Sequence, residues 1–257
     1  MTPVKTPART RTLLLFDIDG TLILTGGAGG RAMSRAFEAT YGLVDALQRV
    51  ALAGRTDRII MSEALSHAGL SFEEHRLEEF RRVYCGFLTE ELPRELPLRA
   101  NGVPQATGSG HVTGAPVSKG ALPGVRALLD ALAGRDDVRL ALLTGNFRAS
   151  AEIKLAYFDL WRYFAWGAWG EDAFDRNQLL PIALDRHRER DAAIDPADVV
   201  IIGDTPHDIT CARSGGARVV AVATGNYSPA TLASHGPDTL FDDLSDTAAV
   251  LQALHLD

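Results

Sequence analysis

The chain has little sulfur, a shortage of positive charge and no long apolar run. Cysteine occurs twice in 257 residues, at Cys85 and Cys211. Neither lies in a ligand-spacing motif, which argues against a disulfide framework or a zinc site and leaves two reduced, buried thiols as the expectation. Lysine and arginine number 26 against 33 acidic residues, a formal net charge of −7. A grip on nucleic acid through phosphate neutralisation is therefore not expected. A small phosphorylated ligand is compatible with that balance, because one cation or one helix terminus can hold it. No apolar window approaches the length that spans a bilayer. The basic N-terminal stretch MTPVKTPARTR leads into a short apolar run that ends at Asp17 without a small-residue cleavage pattern, so it does not read as a secretory signal. Residues 1–10 read as a disordered tail. The expectation is a cytoplasmic protein with no membrane and no nucleic-acid partner; the oligomeric state is not legible.

What is present is ordinary globular composition, 46% hydrophobic and 23% charged, enough for one large domain or two modest ones. Four apolar runs have strand length: 12–17 (TLLLFD), 138–144 (VRLALLT), 199–204 (VVIIGD) and 218–223 (RVVAVA). They are continuous rather than alternating, as strands covered on both faces of a parallel sheet should be. Helical patterns lie before and after the second of these runs, from Gly124 to Gly134, over about 147–158 and over about 179–190. Strands alternating with helices predict a doubly wound α/β domain. Residues 27–98 break the alternation and carry only helical periodicity. Ser71 and Glu74 there have capping-box spacing, and Leu77, Phe80, Tyr84, Phe87 and Leu88 share one face until Pro93. The stretch 100–120, rich in Gly, Ser, Thr and Pro, reads as a flexible linker.

Three strands end in polar residues. In LLLFDIDGT (13–21), two carboxylates, Asp17 and Asp19, follow four apolar residues. In extended chain they would share a side at about 6–7 Å. Like charges at that separation repel by about 2–3 kcal/mol at an effective dielectric near 20. A metal or a shared proton would remove that cost; the alternative is a pair of solvated loop aspartates. The second strand ends in Thr144-Gly145-Asn146 and the third in Gly203-Asp204-Thr205-Pro206-His207-Asp208. Ligands of parallel α/β sheets bind beyond the carboxyl ends of the strands. If the three strands are neighbours, Asp17, Asp19, Asp204 and Asp208 converge with Thr144 on an all-oxygen site of magnesium type.

The DxDGT at 17–21, the Thr-Gly-Asn at 144–146 and the GDTxxD at 203–208 resemble, in order and in placement at strand ends, three motifs of the haloacid dehalogenase-like hydrolases. The resemblance implies a Rossmann-like α/β core made of residues 11–24 and 121–257, and an inserted helical cap at 25–99, of the kind found in phosphoglycolate phosphatase-like members. It implies a magnesium-dependent phosphatase acting on a small phosphorylated metabolite. Asp17 would be the nucleophile that forms an aspartyl-phosphate, and Asp19 the general acid and base. The metal would be held by Asp17, Asp204, the backbone carbonyl of Asp19 and, through water or as an orienting group, Asp208. Thr144, Gly145 and Asn146 would bind the phosphoryl oxygens, with help from backbone N–H groups around Thr144 and Gly145. The family also places a Lys or Arg near the phosphoryl group, usually as Lys-Pro. This chain lacks that pair, and Arg176 and Lys154 are the candidates.

Other signals are weaker. Thr25–Gly30 (TGGAGG) lacks the residues of a phosphate loop and reads as a hinge into the cap. Arg55, in Gly54-Arg-Thr-Asp57, either faces a substrate anion or is a solvated cation beside a helix start. His207 reads as exposed, and Trp161, Tyr163, Phe164, Trp166 and Trp169 as packing. The competing functions are a phosphomutase on the same core, a metal-free dehalogenase, a receiver-like phosphoacceptor module and a non-catalytic phosphate-binding protein. The acidic motifs and the chain length weigh against the last three.

Overall fold

The structure, a computed structural model, describes residues 12–94 and 119–256. Its strands are β1 (Thr12–Phe16), β2 (Ile23–Thr25), β3 (Lys119–Ala121), β4 (Val138–Leu143), β5 (Gly167–Ala168), β6 (Val199–Gly203), β7 (Arg218–Val222) and β8 (Thr239–Phe241). Every residue of β1 is buried, and a strand apolar on both faces belongs in the middle of a covered sheet. It pairs in parallel with β4 on one side and β6 on the other. The full order is β5-β4-β1-β6-β7-β8, with each neighbouring pair parallel. This is the expected doubly wound α/β class.

Alternation along β1 divides the core into two layers. Leu14 and Phe16 pack with Leu128, Leu129, Leu155 and Val250, which lie on α4 (Val125–Ala133), α5 (Arg148–Tyr157) and α8 (Thr247–Ala253). Leu13 and Leu15 face the other way, onto Leu180, Ala183, Ile209 and Ala212 of α6 (Leu179–Arg188) and α7 (Pro206–Ser214). Burying a side chain of this kind stabilises by about 1.5–3 kcal/mol, so β1 alone anchors both layers. The aromatic run at 161–169 packs into these same layers, as its composition suggested.

A third apolar cluster stands apart from the sheet. It is built by α1 (Ala28–Tyr41), α2 (Asp57–His67) and α3 (Leu77–Glu91) around Phe37, Met61, Phe80, Tyr84 and Leu88. One core residue, Phe147, is fully buried in it.

Several expectations need correction. Residues 119 and 120 are not linker: Lys119–Ala121 form β3, antiparallel to β2. The remainder of the 100–120 segment lies outside the described residues, as does the 1–10 tail. Helix α3 does not use the Ser71/Glu74 capping box. A 3-10 turn at Glu74–Arg76 precedes it, and neither element has a side-chain cap bond. The glycine-rich hinge is shorter than it reads, because Ala28-Gly29-Gly30 already belong to α1 and only Gly26 and Gly27 hold left-handed φ values. Cys211 is buried, but Cys85 is only half-buried. No helix among the described residues is long and apolar enough to cross a membrane.

Candidate active site

Since β4, β1 and β6 are adjacent and parallel, their carboxyl ends deliver Thr144, Asp17 and Asp204 to one edge of the sheet. Asp208 joins them from the first turn of α7. One oxygen each from Asp17, Asp204 and Asp208 lies within 4.8 Å of the others, and all three residues are buried. Burial pushes the Asp17 carboxyl up to about 6, against the pull of Arg176, with Asp208 and Asp19 adding to the rise. Burial, then Asp17 and Asp208, raise Asp204 well above the ordinary carboxylate range. Two buried carboxyls that resist ionising, with the Asp208 carboxylate beside them, make a site suited to a cation.

Glycines make the packing around Asp204 possible. Gly20 has φ +89°, and a Cβ there would stand 2.4 Å from Asp204 Oδ2; a Cβ on Gly225 would stand 1.6 Å from the same atom. Thr21 donates to Asp204 Oδ1 at 3.1 Å, and Thr224 anchors the loop by donating to the Gly20 carbonyl at 2.5 Å.

Arg176 and Lys154 serve different carboxylates. Arg176, 5% exposed, pairs with Asp17 at 3.1 Å and Asp208 at 2.5 Å. Burial works against its charge, but Asp208 and Asp17 hold its pKa above the ordinary value. Asp208 Oδ2 is also taken, by the Thr205 N–H and hydroxyl in a capping box. Lys154 donates to Asp19 Oδ2 and Asn146 Oδ1, each at 2.6 Å. Asp19 also accepts from Asn146 Nδ2 at 2.8 Å and keeps 42% side-chain exposure. Its carboxylate thus lies outside the three-acid cluster.

The Thr144 hydroxyl accepts from the Asn146 side chain (2.8 Å) and backbone (3.3 Å), leaving its own proton to donate. The Thr144 N–H is not free for a ligand, contrary to expectation, since it donates to Ala168 O across the β4–β5 pairing at 3.1 Å. Gly145 is pressed against the helical unit: a Cβ there would stand 1.9 Å from the Arg55 carbonyl. The Arg55 guanidinium is engaged by Glu63 and by the Ala51 carbonyl and is not brought to the carboxylates. Arg55 lines a cavity of about 320 Å³ together with Thr56, Phe174, Arg176, Asn177 and the exposed His207.

Sequence reasoning assigned no role to Thr21, Thr224, Gly225 or Asp57. Thr21 and Asp57 stood inside motifs singled out for other residues. Nothing in the local pattern marks Thr224 or Gly225, whose contacts form only when β7 lies beside β6.

Comparison with known proteins agrees with this geometry. Residues 14–213 match the family model described as haloacid dehalogenase-like hydrolase. Phosphoglycolate phosphatase 1 of Pseudomonas aeruginosa is 31% identical over 112 residues, which span 44% of this chain but only 40% of that protein. The protein named "Probable phosphatase IndB" of Dickeya dadantii is 25% identical over 95% of both chains. Among solved structures, a beta-phosphoglucomutase of Clostridium difficile aligns over 96% of this chain and 97% of its own, with a TM-score of 0.65 and 13% identity, a likeness of fold. With its motif residues gathered at the ends of β1, β4 and β6 and the family model matched across them, the chain belongs to the haloacid dehalogenase-like hydrolases.

Proposed function

We propose that the chain is a magnesium-dependent phosphatase of small phosphorylated metabolites, phosphoglycolate phosphatase-like, working through an aspartyl-phosphate. The observation that carries this reading is the separate bracing of two carboxylates one residue apart, Asp17 by Arg176 and Asp19 by Lys154. A buried carboxylate beside a fixed guanidinium suits a nucleophile. A half-exposed carboxylate fixed through one oxygen suits proton transfer to and from a ligand.

Asp17 Oδ attacks phosphorus while the bond to the leaving oxygen breaks, and Asp19 supplies the proton that oxygen takes. Asp19 then removes a proton from the water that opens the acyl phosphate, returning Asp17 and releasing phosphate. Thr144 donates its hydroxyl proton to a phosphoryl oxygen, and Arg176 offsets charge gathering near Asp17. The all-oxygen donor set fits a hard divalent ion. Asp17, Asp204 and the Asp19 carbonyl would hold magnesium, which when bound neutralises the phosphoryl charge as the anionic nucleophile approaches. With both its oxygens already hydrogen-bonded, Asp208 suits the orienting role better than direct ligation. The helical unit acts as the cap that selects the substrate, and Arg55, turned toward Glu63, is at most a peripheral contributor to that choice.

Phosphate release from a panel of phosphorylated metabolites that includes phosphoglycolate, with magnesium and with EDTA, tests the reading. Turnover is expected with magnesium alone and is lost in Asp17→Asn. Folded protein that releases no phosphate from any compound would overturn it in favour of phosphoryl transfer within a substrate or of binding without turnover.

A further inference from the structure

Asp57 belongs to the helical unit, yet its partners are on the core loop that carries Thr144 and Asn146. Its backbone N–H donates to the Gly145 carbonyl at 2.6 Å. Its carboxylate accepts from the Phe147 N–H at 2.9 Å. One residue thus brackets the loop on both sides of Asn146. Phe147 is the residue before α5, so its N–H has no intrahelical acceptor to turn to. Its ring is buried among the apolar residues of α1, α2 and α3.

The surroundings leave this junction little freedom. Gly145 meets the Arg55 carbonyl so closely that no side chain fits between them, and a Cβ on Gly170 would stand 1.9 Å from the Gly145 carbonyl and 3.1 Å from Asp57 N. Gly170 N donates to Asn146 O at 2.8 Å. Thr56, which caps α2, also donates to the Phe174 carbonyl at 2.8 Å. Asp57 is 7% exposed. Nothing in the mechanism above uses it, and a buried carboxylate with no task is costly.

We propose that Asp57 is a positioning residue that holds the Thr144–Phe147 loop in its phosphoryl-binding shape, so that docking of the helical unit completes the site. The inference rests on the reading of this loop as the phosphoryl site. Burial pushes the Asp57 carboxyl up to about 7, with Lys154 and the Phe147 N–H working against the rise. What the loop needs is an acceptor oxygen, which an asparagine also supplies.

The test compares wild type, Asp57→Asn, Asp57→Ala and Arg58→Ala. Arg58 ties the same helix to the core by donating to the Glu171 carbonyl at 2.9 Å and stacking on Phe174, but does not reach the loop. Inorganic phosphate affinity is measured by calorimetry with magnesium present, and kcat and KM on the best substrate of the panel. Asp57→Ala is expected to weaken phosphate binding and lower kcat by about tenfold or more, the scale on which a loosened reacting geometry acts. Asp57→Asn should restore both, and Arg58→Ala should leave kcat within about twofold, as expected for a docking contact away from the reacting groups. The inference fails if Asp57→Ala binds phosphate as wild type does, if asparagine does not rescue, or if Arg58→Ala falls as far. Wild type that binds phosphate in the calorimeter but turns nothing over would sink the phosphatase reading and leave the role of Asp57 to be judged by the binding series.

Discussion

Around Asp204 the chain uses glycine where any side chain would intrude. Gly225 is the tighter of the two contacts, since a Cβ would overlap Asp204 Oδ2 outright. Gly225→Ala should therefore displace the carboxylate without opening the sheet. The expected outcome is a magnesium requirement raised about tenfold, the usual scale for disturbing a ligand's support, with kcat at saturating metal less affected. A magnesium titration of activity measures it, and an unchanged midpoint would mean that Asp204 can shift freely. Asp17 and Asp204 were legible because each follows an apolar run, a pattern that places a residue at a strand end before any fold is known. Gly225 and Thr224 were not, because their importance comes from Asp204 and from Gly20, neighbours that only the sheet brings near.

Helices α1 and α3 are joined at one end by charge as well as by packing. Glu91 is 1% exposed and accepts from Arg31 at 2.8 Å, Arg35 at 2.9 Å and Arg94 at 2.5 Å, while Arg31 also holds the Gly26 carbonyl at 2.7 Å. Burial opposes the Glu91 charge, but the hydrogen bonds from Arg31, Arg94 and Arg35 prevail and hold its carboxyl below the ordinary value. A depressed folded pKa adds stability that is complete above the unfolded value of 4.5 and is lost as pH falls through the folded one. Glu91→Ala should cost about 2–3 kcal/mol at neutral pH, less than a fully buried pair because Arg35 and Arg94 reach water. Urea unfolding at pH 7 and pH 3 would show the loss at the first and little at the second; equal losses at both would assign the effect to packing. The long helices could be read from periodicity and the central strands from continuous apolar runs. The three-residue β2 and β3 could not, for each is too short to show a pattern and owes its form to a partner far along the chain.

For the whole molecule, Asp17, Asp204 and Asp57 set a dependence on protons, which the proposed function would couple to metal. Asp17 at about 6 and Asp57 at about 7 are both raised from the ordinary aspartate value of 3.8, and Asp204 is raised as well. A carboxyl with a raised folded pKa binds its proton more tightly when folded, so its penalty is absent below the unfolded value and complete above the folded one. Under the proposed function, magnesium would relieve that penalty at Asp17 and Asp204 only where they would otherwise ionise at a cost. The rise in melting temperature on adding magnesium should accordingly be larger at pH 7.5 than at pH 5, as read by calorimetry against an EDTA control. A shift that does not vary with pH would contradict this account of the cluster. Strand-end chemistry made the acidic edge of the sheet readable in the sequence. The docking of Asp57 on Gly145 was not, being a contact between two units that each look complete alone. Their connection has one more consequence. The helical unit leaves the core after Thr25 and the chain returns at Lys119, and those two residues are direct partners in the β2–β3 ribbon. Exit and return are thus a single point on the core, and the unit is a cassette: one helical assembly can be exchanged for another while the sheet keeps its register. Under the proposed function, a different helical unit on the ribbon would change the substrate and spare the sheet, provided it still offers a pocket for Phe147.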